Sequence, residues 1–306
     1  MDKASYGNSG EVIIVNLQNH LLEYKKDGYT VFHDYLTVEE VQECCQAMDP
    51  QFDTLFSVNS NKPRVKIVPL LGYEKLAPLA KKHVTNSIML DFAELVMGPC
   101  VQLDSFEVSG FPIRELGLTD SVDLWHRDAF NVTQTWIDHP LFSSKKRRPC
   151  TPRLACNCLT YLQDMTAESG PLRVIPGSHL DYTRIPESAE RRVHVRERLL
   201  DVKAGAMVFT HNELLHSGTW NVSEHYRYFL SVYLCRFGLP HRDPFDLAAI
   251  EQLQKDARCR NDRRVLRLFG EDEEFMEREE ISWQTMAEED RRNVRSTNSN
   301  SETSLK

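Results

Sequence analysis

The sequence predicts a mainly β domain flanked by helices, on the strength of two hydrophobic patterns. Apolar residues recur at helical spacing through the first hundred residues and again after residue 245. From about residue 100 to 240, short extended runs alternate with turn residues, a pattern typical of a β-sandwich or a closed barrel. The chain has 306 residues, which is enough to bury a core of that size.

The domain boundaries follow from these changes in pattern. We place a single domain at residues 1–284, made of an N-terminal helical part (1–99), a β core (100–240) and a C-terminal helical segment (241–284). Residues 285–306 are polar and contain no aromatic side chain. Such a segment has too little apolar surface to bury, so we expect a disordered tail.

The individual elements can be assigned in chain order. Residues 17–27 carry a helical period that Gly28 is suited to end. Residues 29–36 alternate as a strand does, and Thr37 then caps a second helix with two glutamates in its first turn. A third helical period covers residues 76–97. The extended runs of the β core lie at 101–111, 122–128, 154–164, 170–177, 204–210, 218–222 and 226–238.

The composition excludes several classes of function. The net charge of −8 makes the chain a poor general binder of nucleic acid, because neutralising phosphates requires a surplus of Lys and Arg. No apolar run approaches the ~20 residues that cross a bilayer, and the N-terminus has no recognisable targeting signal. The 8 cysteines form no C-x-x-C pair, so we expect free thiols. These features predict a cytoplasmic protein that acts on a small molecule, without a nucleic-acid or membrane partner.

Candidate metal ligands occur at two distant points of the chain. In the extended segment WHRD, His126 and Asp128 point to the same side, because alternate residues of a strand share a face. His216 ends a second apolar run, although His211 and His225 compete with it nearby. Two histidines and one carboxylate form the ligand set of non-haem Fe(II) enzymes, which leaves three coordination positions open.

The open positions of such a site suit a keto acid that binds through two oxygen atoms, together with O₂. Arg227 follows His216 by eleven residues. A guanidinium is the preferred partner for the far carboxylate of the keto acid, because it makes two parallel hydrogen bonds. A zinc-peptidase site is disfavoured, since His211 and His216 are five residues apart and not the four of H-E-x-x-H.

Four segments of the chain together carry a family signature. They are YKKDGYTVFHDYLTVEEV (24–41), WHRD (125–128), TAESGPLRVIPGSH (166–179) and LLHSGTWNVSEHYR (214–227). In this order they resemble the phytanoyl-CoA dioxygenase family of Fe(II)/2-oxoglutarate oxygenases, over roughly residues 20–238. The resemblance implies a double-stranded β-helix, or jelly-roll, core with helices packed outside.

The resemblance also implies a metal site and a reaction. It assigns the iron ligands to His126, Asp128 and His216, and the salt bridge to 2-oxoglutarate to Arg227. The enzyme would use Fe(II), 2-oxoglutarate and O₂ to oxidise a C–H bond of a small-molecule metabolite, with hydroxylation as the expected outcome and succinate and CO₂ as co-products. The ligands would be the catalytic residues, with no separate acid or base. Halogenating relatives replace the ligating Asp by a small residue, so Asp128 predicts no halogenation.

Two further residues are implied to bind the co-substrate. Lys66 resembles a family lysine on an early strand that reaches 2-oxoglutarate. Asn157 would hydrogen-bond 2-oxoglutarate if it and Tyr161 face the pocket as alternate residues of one strand. The opposite parity, with Cys156 and Cys158 facing the pocket, stays open, because a slip of one residue exchanges the two faces of a strand.

Two other functions fit part of the pattern. A hydrolase could hold Zn²⁺ on the same three ligands and activate water, but it would leave Arg227 without a role. A catalytically silent jelly roll could serve binding or regulation, but the complete ligand set argues against it. The basic run at 145–148 with Arg153 is either a solvated loop or a site for an anionic part of the substrate.

Overall fold

The fold is described from a computed structural model of the chain. The described residues are 3–6, 12–59, 62, 64–112, 123–128, 155–180, 185, 187–236 and 241–274. The basic run at 145–148, Arg153 and the expected tail at 285–306 lie outside the described residues.

Capping residues set the ends of the N-terminal helices. These are α1 (Leu17–Asp27), α2 (Val38–Val58), α3 (Ala77–Val84) and α4 (Ser87–Met97), with a short 3₁₀ turn at Leu70–Gly72. The side chain of Asn16 caps the start of α1, and Gly28 ends that helix at a φ of 83°, a conformation that costs glycine little. Thr37 and Glu40 form a capping box at the start of α2. The predicted helix ends at Gly28 and Thr37 are therefore confirmed.

Two antiparallel sheets form the core of the molecule. In chain order the strands are β1 (Lys3–Tyr6), β2 (Val12–Val15), β3 (Tyr29–Phe32), β4 (Val65–Ile67), β5 (Val101–Phe111), β6 (Ala155–Tyr161), β7 (Leu172–Val174), β8 (Arg198–Leu200), β9 (Met207–His211), β10 (His216–Ser217) and β11 (Arg227–Arg236). The larger sheet has the order β3-β9-β6-β11-β5-β4, and the smaller has the order β10-β7-β8. Strands β1 and β2 form a separate pair.

The two faces of the larger sheet have different surroundings. On β6, Cys156 and Cys158 point into the main apolar core, where the helices pack. Asn157, Leu159 and Tyr161 point the other way and line a cavity. The structure therefore has the first of the two parities that the sequence left open.

The helix-side core is dense with aromatic side chains. Phe92 of α4 and Phe209 of β9 are fully buried, with ring centres 4.8 Å apart, and Tyr24 of α1 packs edge-on against both. Burying an aromatic side chain of this size contributes about 1.5–3 kcal/mol. These contacts fix α1 and α4 on the outer face of the larger sheet.

The C-terminal helices pack on the helix side of the molecule. They are α5 (Ala248–Arg260) and α6 (Arg263–Leu268). Arg264 donates to the carboxylates of Asp91 and Glu94 on α4. Neither helix lines the cavity on the opposite face. Among the described residues, no helix is both long and apolar enough to span a membrane. The fold is the predicted mainly β jelly roll with helices outside it.

Candidate metal centre

A backbone bridge brings two distant histidines together. The N–H of His126 donates to the carbonyl of His216 at 2.9 Å, and the N–H of His216 donates back at 3.0 Å. Residues paired in this way project their side chains to the same side. The two imidazole ring centres lie 4.2 Å apart. Strand β7 also holds His216 in place, because His216 pairs with Val174 of that strand.

Asp128 completes a three-residue group with the two histidines. Its Oδ1 lies 3.8 Å from Nε2 of His126 and 3.8 Å from Nε2 of His216. One ligand atom from each residue lies within 4.8 Å of the others, close enough for all three to bind one ion. The structure therefore brings together the three residues that the sequence predicted as ligands.

The hydrogen bonds of the imidazoles leave the correct nitrogens free. Nδ1 of His126 lies 2.8 Å from the carbonyl oxygen of Leu124, and Nδ1 of His216 lies 3.0 Å from that of Leu214. A carbonyl oxygen only accepts, so each Nδ1 carries the proton and donates. Each Nε2 then presents a lone pair toward Asp128, which is how histidine ligands are commonly oriented at metal sites.

The protonation states also suit a divalent metal. The charge of neighbouring His216, and next burial, lower the pKa of His126. Burial acts to raise the pKa of Asp128, but His216, His126 and a hydrogen bond from Asn157 outweigh it, so this pKa lies below its usual value. A neutral imidazole and an ionised carboxylate are the forms that bind a metal.

Arg227 lies buried at the start of β11, beside the same cavity. Its Nη1 donates to the carbonyl oxygens of Gly170 and, at 3.0 Å, Thr219. Its guanidinium carbon lies 3.7 Å from the ring centre of Phe111, the residue opposite it on β5. Its Nε is buried and has no hydrogen-bond partner among the described residues. Burial lowers the pKa of Arg227 to about 10, which leaves it charged at neutral pH.

Gly170 is required for this arginine socket. It adopts a φ of 85°, and a Cβ there would lie 2.4 Å from Nη1 of Arg227 and 2.6 Å from the carbonyl oxygen of Thr219. A side chain would therefore displace the guanidinium as well as strain the backbone. The Ser-Gly-Pro part of the 166–179 motif thus shapes the site around Arg227.

The three ligands and Arg227 line one cleft. The cleft opens to solvent. Its remaining wall is largely aromatic and aliphatic: Phe111, Leu159, Tyr161, Pro171, Leu172, Trp220, Phe229 and Tyr233. Burial raises the pKa of Tyr161 to about 12, so its hydroxyl is neutral and can donate a hydrogen bond.

The two remaining predicted residues occupy different positions. Asn157 lines the cleft, and its Nδ2 lies 3.2 Å from Oδ2 of Asp128. Lys66 lies on the edge strand β4, where its ammonium contacts the carboxylate of Glu107 at 2.6 Å, and it is not among the residues that line the cleft.

The cation from this strand region that does line the cleft is Arg64. Its guanidinium donates to Glu107 and Ser109 and packs 5.5 Å from the ring centre of Phe111. Our sequence reasoning missed this residue. The sequence could have indicated it, because Arg64 and Lys66 are alternate residues of one extended segment and alternate residues share a face.

The residues of the site fit iron and 2-oxoglutarate. The donor set of two imidazole nitrogens and one carboxylate oxygen suits a non-haem iron. The unsatisfied Nε of Arg227 would gain a partner if a ligand carboxylate bound beside it, and a buried donor left unpaired is costly. A jelly roll with this pair of features defines the class of iron oxygenases that use a 2-oxo acid.

Comparisons of sequence place the chain within one family. The family model for phytanoyl-CoA dioxygenase (PhyH) matches residues 24–229. The dioxygenase trt7 of Aspergillus terreus (strain NIH 2624 / FGSC A1156) is 33% identical over 217 residues, covering 70% of this chain and 72% of the relative. The dioxygenase FrzG of Cladobotryum sp is 22% identical over 218 residues, covering 65% of this chain and 67% of the relative.

Solved structures share the fold at lower sequence identity. HygX from Streptomyces hygroscopicus, with nickel and 2-oxoglutarate bound, has a TM-score of 0.54 at 14% identity, covering 76% of this chain and 93% of its own. The epimerase SnoN from nogalamycin biosynthesis, in complex with Fe³⁺, α-ketoglutarate and nogalamycin RO, has a TM-score of 0.52 at 19% identity, covering 76% and 88%.

The chain belongs to the phytanoyl-CoA dioxygenase (PhyH) family. It is a non-haem iron dioxygenase that depends on 2-oxoglutarate. The resemblance noted in the four sequence segments is therefore confirmed.

Proposed function

We propose that this enzyme hydroxylates a C–H bond of a small-molecule metabolite in the cytoplasm. The observation that carries the proposal is the meeting of His126, Asp128 and His216 beside the buried guanidinium of Arg227 in one cleft. When bound, iron and 2-oxoglutarate supply the oxidising power, with O₂ consumed and succinate and CO₂ released.

The chain's own residues hold and orient these reactants. Oδ1 of Asp128 lies 3.8 Å from Nε2 of His126 and 3.8 Å from Nε2 of His216, so the three residues could hold one ion. With three protein ligands, a bound iron would keep coordination positions open for the co-substrate and O₂. We propose no separate general base, since the ligands themselves would assemble the reacting groups.

Arg227 is our candidate for the far carboxylate of 2-oxoglutarate. Its Nη1 is fixed by the carbonyl oxygens of Gly170 and Thr219, which leaves Nε to donate to a carboxylate. The ring of Phe111 covers the guanidinium and excludes water from it. A charge-assisted hydrogen bond is stronger in such a water-poor site than in solvent.

Two residues stay predictions as co-substrate ligands. Asn157 lines the cleft and has an N–H to spare beyond the one directed at Asp128, which supports its proposed contact. Lys66 also stays a prediction, with its ammonium engaged by Glu107. We propose Arg64 as a further candidate, because it lines the cleft from the same strand region.

The lining of the cleft supports a compact and mostly apolar substrate. Trp220, Phe229 and Leu172 offer flat or aliphatic surfaces near the metal ligands. Binding sites for small molecules are typically apolar with a few polar anchors. The cysteines of the described part are free thiols, which supports a reducing compartment such as the cytoplasm.

A metabolite panel with full-length enzyme tests the proposal. Each compound is incubated with Fe(II), 2-oxoglutarate and ascorbate, in air and without oxygen, and both succinate and the product mass are measured. We expect at least one compound to gain one oxygen atom with matching succinate release, only in air. Turnover without oxygen or 2-oxoglutarate would support a hydrolase instead. Retention of iron and 2-oxoglutarate with no turnover of any compound would support a binding protein.

A further inference from the structure

The two oxygens of Asp128 have different partners. Oδ1 is equidistant from the two histidine Nε2 atoms, at 3.8 Å from each. Oδ2 accepts a hydrogen bond from Nδ2 of Asn157 at 3.2 Å. The carboxylate therefore presents one oxygen toward the metal position and has the other held by the protein.

A buried hydrogen-bond chain extends behind this contact. Ser231 Oγ lies 2.8 Å from Oδ1 of Asn157, and the side chain of Ser231 also hydrogen-bonds the hydroxyl of Tyr233. Asn157 is 2% exposed and Ser231 is fully buried, so water does not compete for these bonds. These hydrogen bonds thus connect Tyr233, Ser231 and Asn157 in series to the metal ligand Asp128.

The directions of the two hydrogen bonds made by the Asn157 side chain are determined. An ionised carboxylate only accepts, so the amide nitrogen of Asn157 must face Asp128 and its amide oxygen must face Ser231. Ser231 then donates to that oxygen.

The sheet register builds this chain into the fold. Asn157 pairs directly with Tyr233 across β6 and β11, and Ser231 lies two residues further along the same face of β11. The Tyr233 ring also contacts Arg242, whose guanidinium carbon lies 3.9 Å from the ring centre. Arg242 is in turn fixed by Asp104, with Nη2 2.6 Å from Oδ2.

We propose that Asn157, Ser231 and Tyr233 are positioning residues that hold the Asp128 carboxylate so that Oδ1 alone ligates the iron. This inference rests on the proposed metal site and assigns to Asn157 a role additional to its contact with 2-oxoglutarate. Holding Oδ2 away from the metal keeps a second coordination position from being taken by the same carboxylate. The open positions then stay available for 2-oxoglutarate and O₂.

Titration with Ni²⁺ alone tests the proposal without turnover. Calorimetry on the full-length chain, without 2-oxoglutarate, compares the wild type with Asn157→Leu, which keeps the side-chain shape and removes the hydrogen bonds. Loss of a partner behind a metal ligand typically weakens metal affinity about 10–100-fold. We expect a loss in that range for Asn157→Leu and a smaller loss, about 3–10-fold, for Ser231→Ala.

The double variant and a matched control make the test specific. Because Ser231 acts through Asn157, the double variant Asn157→Leu/Ser231→Ala should bind Ni²⁺ no more weakly than Asn157→Leu alone. Tyr35→Phe removes a buried hydroxyl that has no hydrogen-bond partner in the described part of the chain, and it should bind as the wild type does. If Asn157→Leu fails to fold, Ser231→Ala and Tyr233→Phe carry the same comparison against Tyr35→Phe.

Two results would overturn the proposal. One is unchanged Ni²⁺ affinity in Asn157→Leu and Ser231→Ala; weaker binding of 2-oxoglutarate to the metal-loaded Asn157→Leu enzyme would then restrict Asn157 to the co-substrate. The other is a fully additive loss in the double variant, which would show that the two residues act separately. A wild-type chain that binds Ni²⁺ as expected but never forms succinate would refute the proposed function and leave this proposal standing.

Discussion

The two faces of the larger sheet have different roles, although the residues that form them alternate along the same strands. On the helix side, Cys156, Cys158 and Phe209 pack in an apolar core that stabilises the fold. On the cleft side, Asn157 hydrogen-bonds Asp128, and the buried guanidinium of Arg227 lines the same cleft. A strand cannot shift by one residue without exchanging these sets, so the apolar core also fixes the register of the site.

This comparison predicts that substitutions on the cleft side affect ligands while those on the helix side affect stability. The largest effect belongs to Asp128→Ala. We expect substrate-dependent succinate formation to fall at least 10³-fold, because one of three metal ligands is removed. Asp164→Ala, which alters a carboxylate engaged by Lys203, is the matched control and should keep wild-type turnover. Full turnover in Asp128→Ala would refute the ligand assignment.

The corresponding change on the helix side is Phe209→Ala. Phe209 is fully buried against Tyr24 and Phe92, so we expect the free energy of unfolding to fall by about 3–5 kcal/mol. Denaturant unfolding measures this loss, and Ni²⁺ affinity of the folded fraction should not change. Phe229→Ala on the cleft face, where the side chain is half-buried, should cost less stability. An equal loss in the two variants would contradict the division between faces.

Arg227→Met tests the co-substrate end of the cleft. Removing a buried charge-assisted pair should weaken 2-oxoglutarate binding about 100-fold, while Ni²⁺ affinity stays near that of the wild type. Arg227→Lys should recover part of the 2-oxoglutarate affinity, because it restores the charge without the two parallel hydrogen bonds of a guanidinium. Binding of 2-oxoglutarate to the metal-loaded enzyme by calorimetry measures both. Unchanged 2-oxoglutarate affinity in Arg227→Met would remove Arg227 from the site.

The smallest predicted effect is a pH dependence of stability from His83 on the helix side. Burial lowers the pKa of His83 to about 4, against 6.5 for a solvated histidine. Between these values the unfolded chain binds more protons, so the free energy of unfolding falls as the pH falls. From pH 7 to pH 5 we expect this residue to account for a loss of roughly 2 kcal/mol. Denaturant unfolding at several pH values should show that the free energy of unfolding falls less steeply with falling pH in His83→Asn than in the wild type. Equal pH dependence in the two proteins would refute the prediction.

Local patterns were sufficient to predict much of this molecule. Hydrophobic periodicity and capping residues gave the ends of α1 and the start of α2, because these depend on neighbours within a few residues. The two-residue spacing of His126 and Asp128 gave their common direction. The motif spacing placed His216 and Arg227 in the same set, through resemblance to a family.

Long-range register limited the rest of the prediction. The His126–His216 bridge joins residues far apart in the chain, and spacing alone does not reveal it. Lys66 shares a face with Arg64, but Glu107 on the neighbouring strand engages its ammonium, and that strand pairing is set by the sheet as a whole. The choice between the two parities of β6 likewise depends on which face the helices cover.

The most direct measurement is an anaerobic titration of the wild-type chain with Fe(II) and 2-oxoglutarate, followed by visible charge-transfer absorption. We expect a band that saturates at one equivalent of each, is lost in His126→Ala, Asp128→Ala and His216→Ala, and requires more 2-oxoglutarate in Arg227→Met. A band of wild-type intensity and midpoint in His216→Ala would show that the iron binds elsewhere.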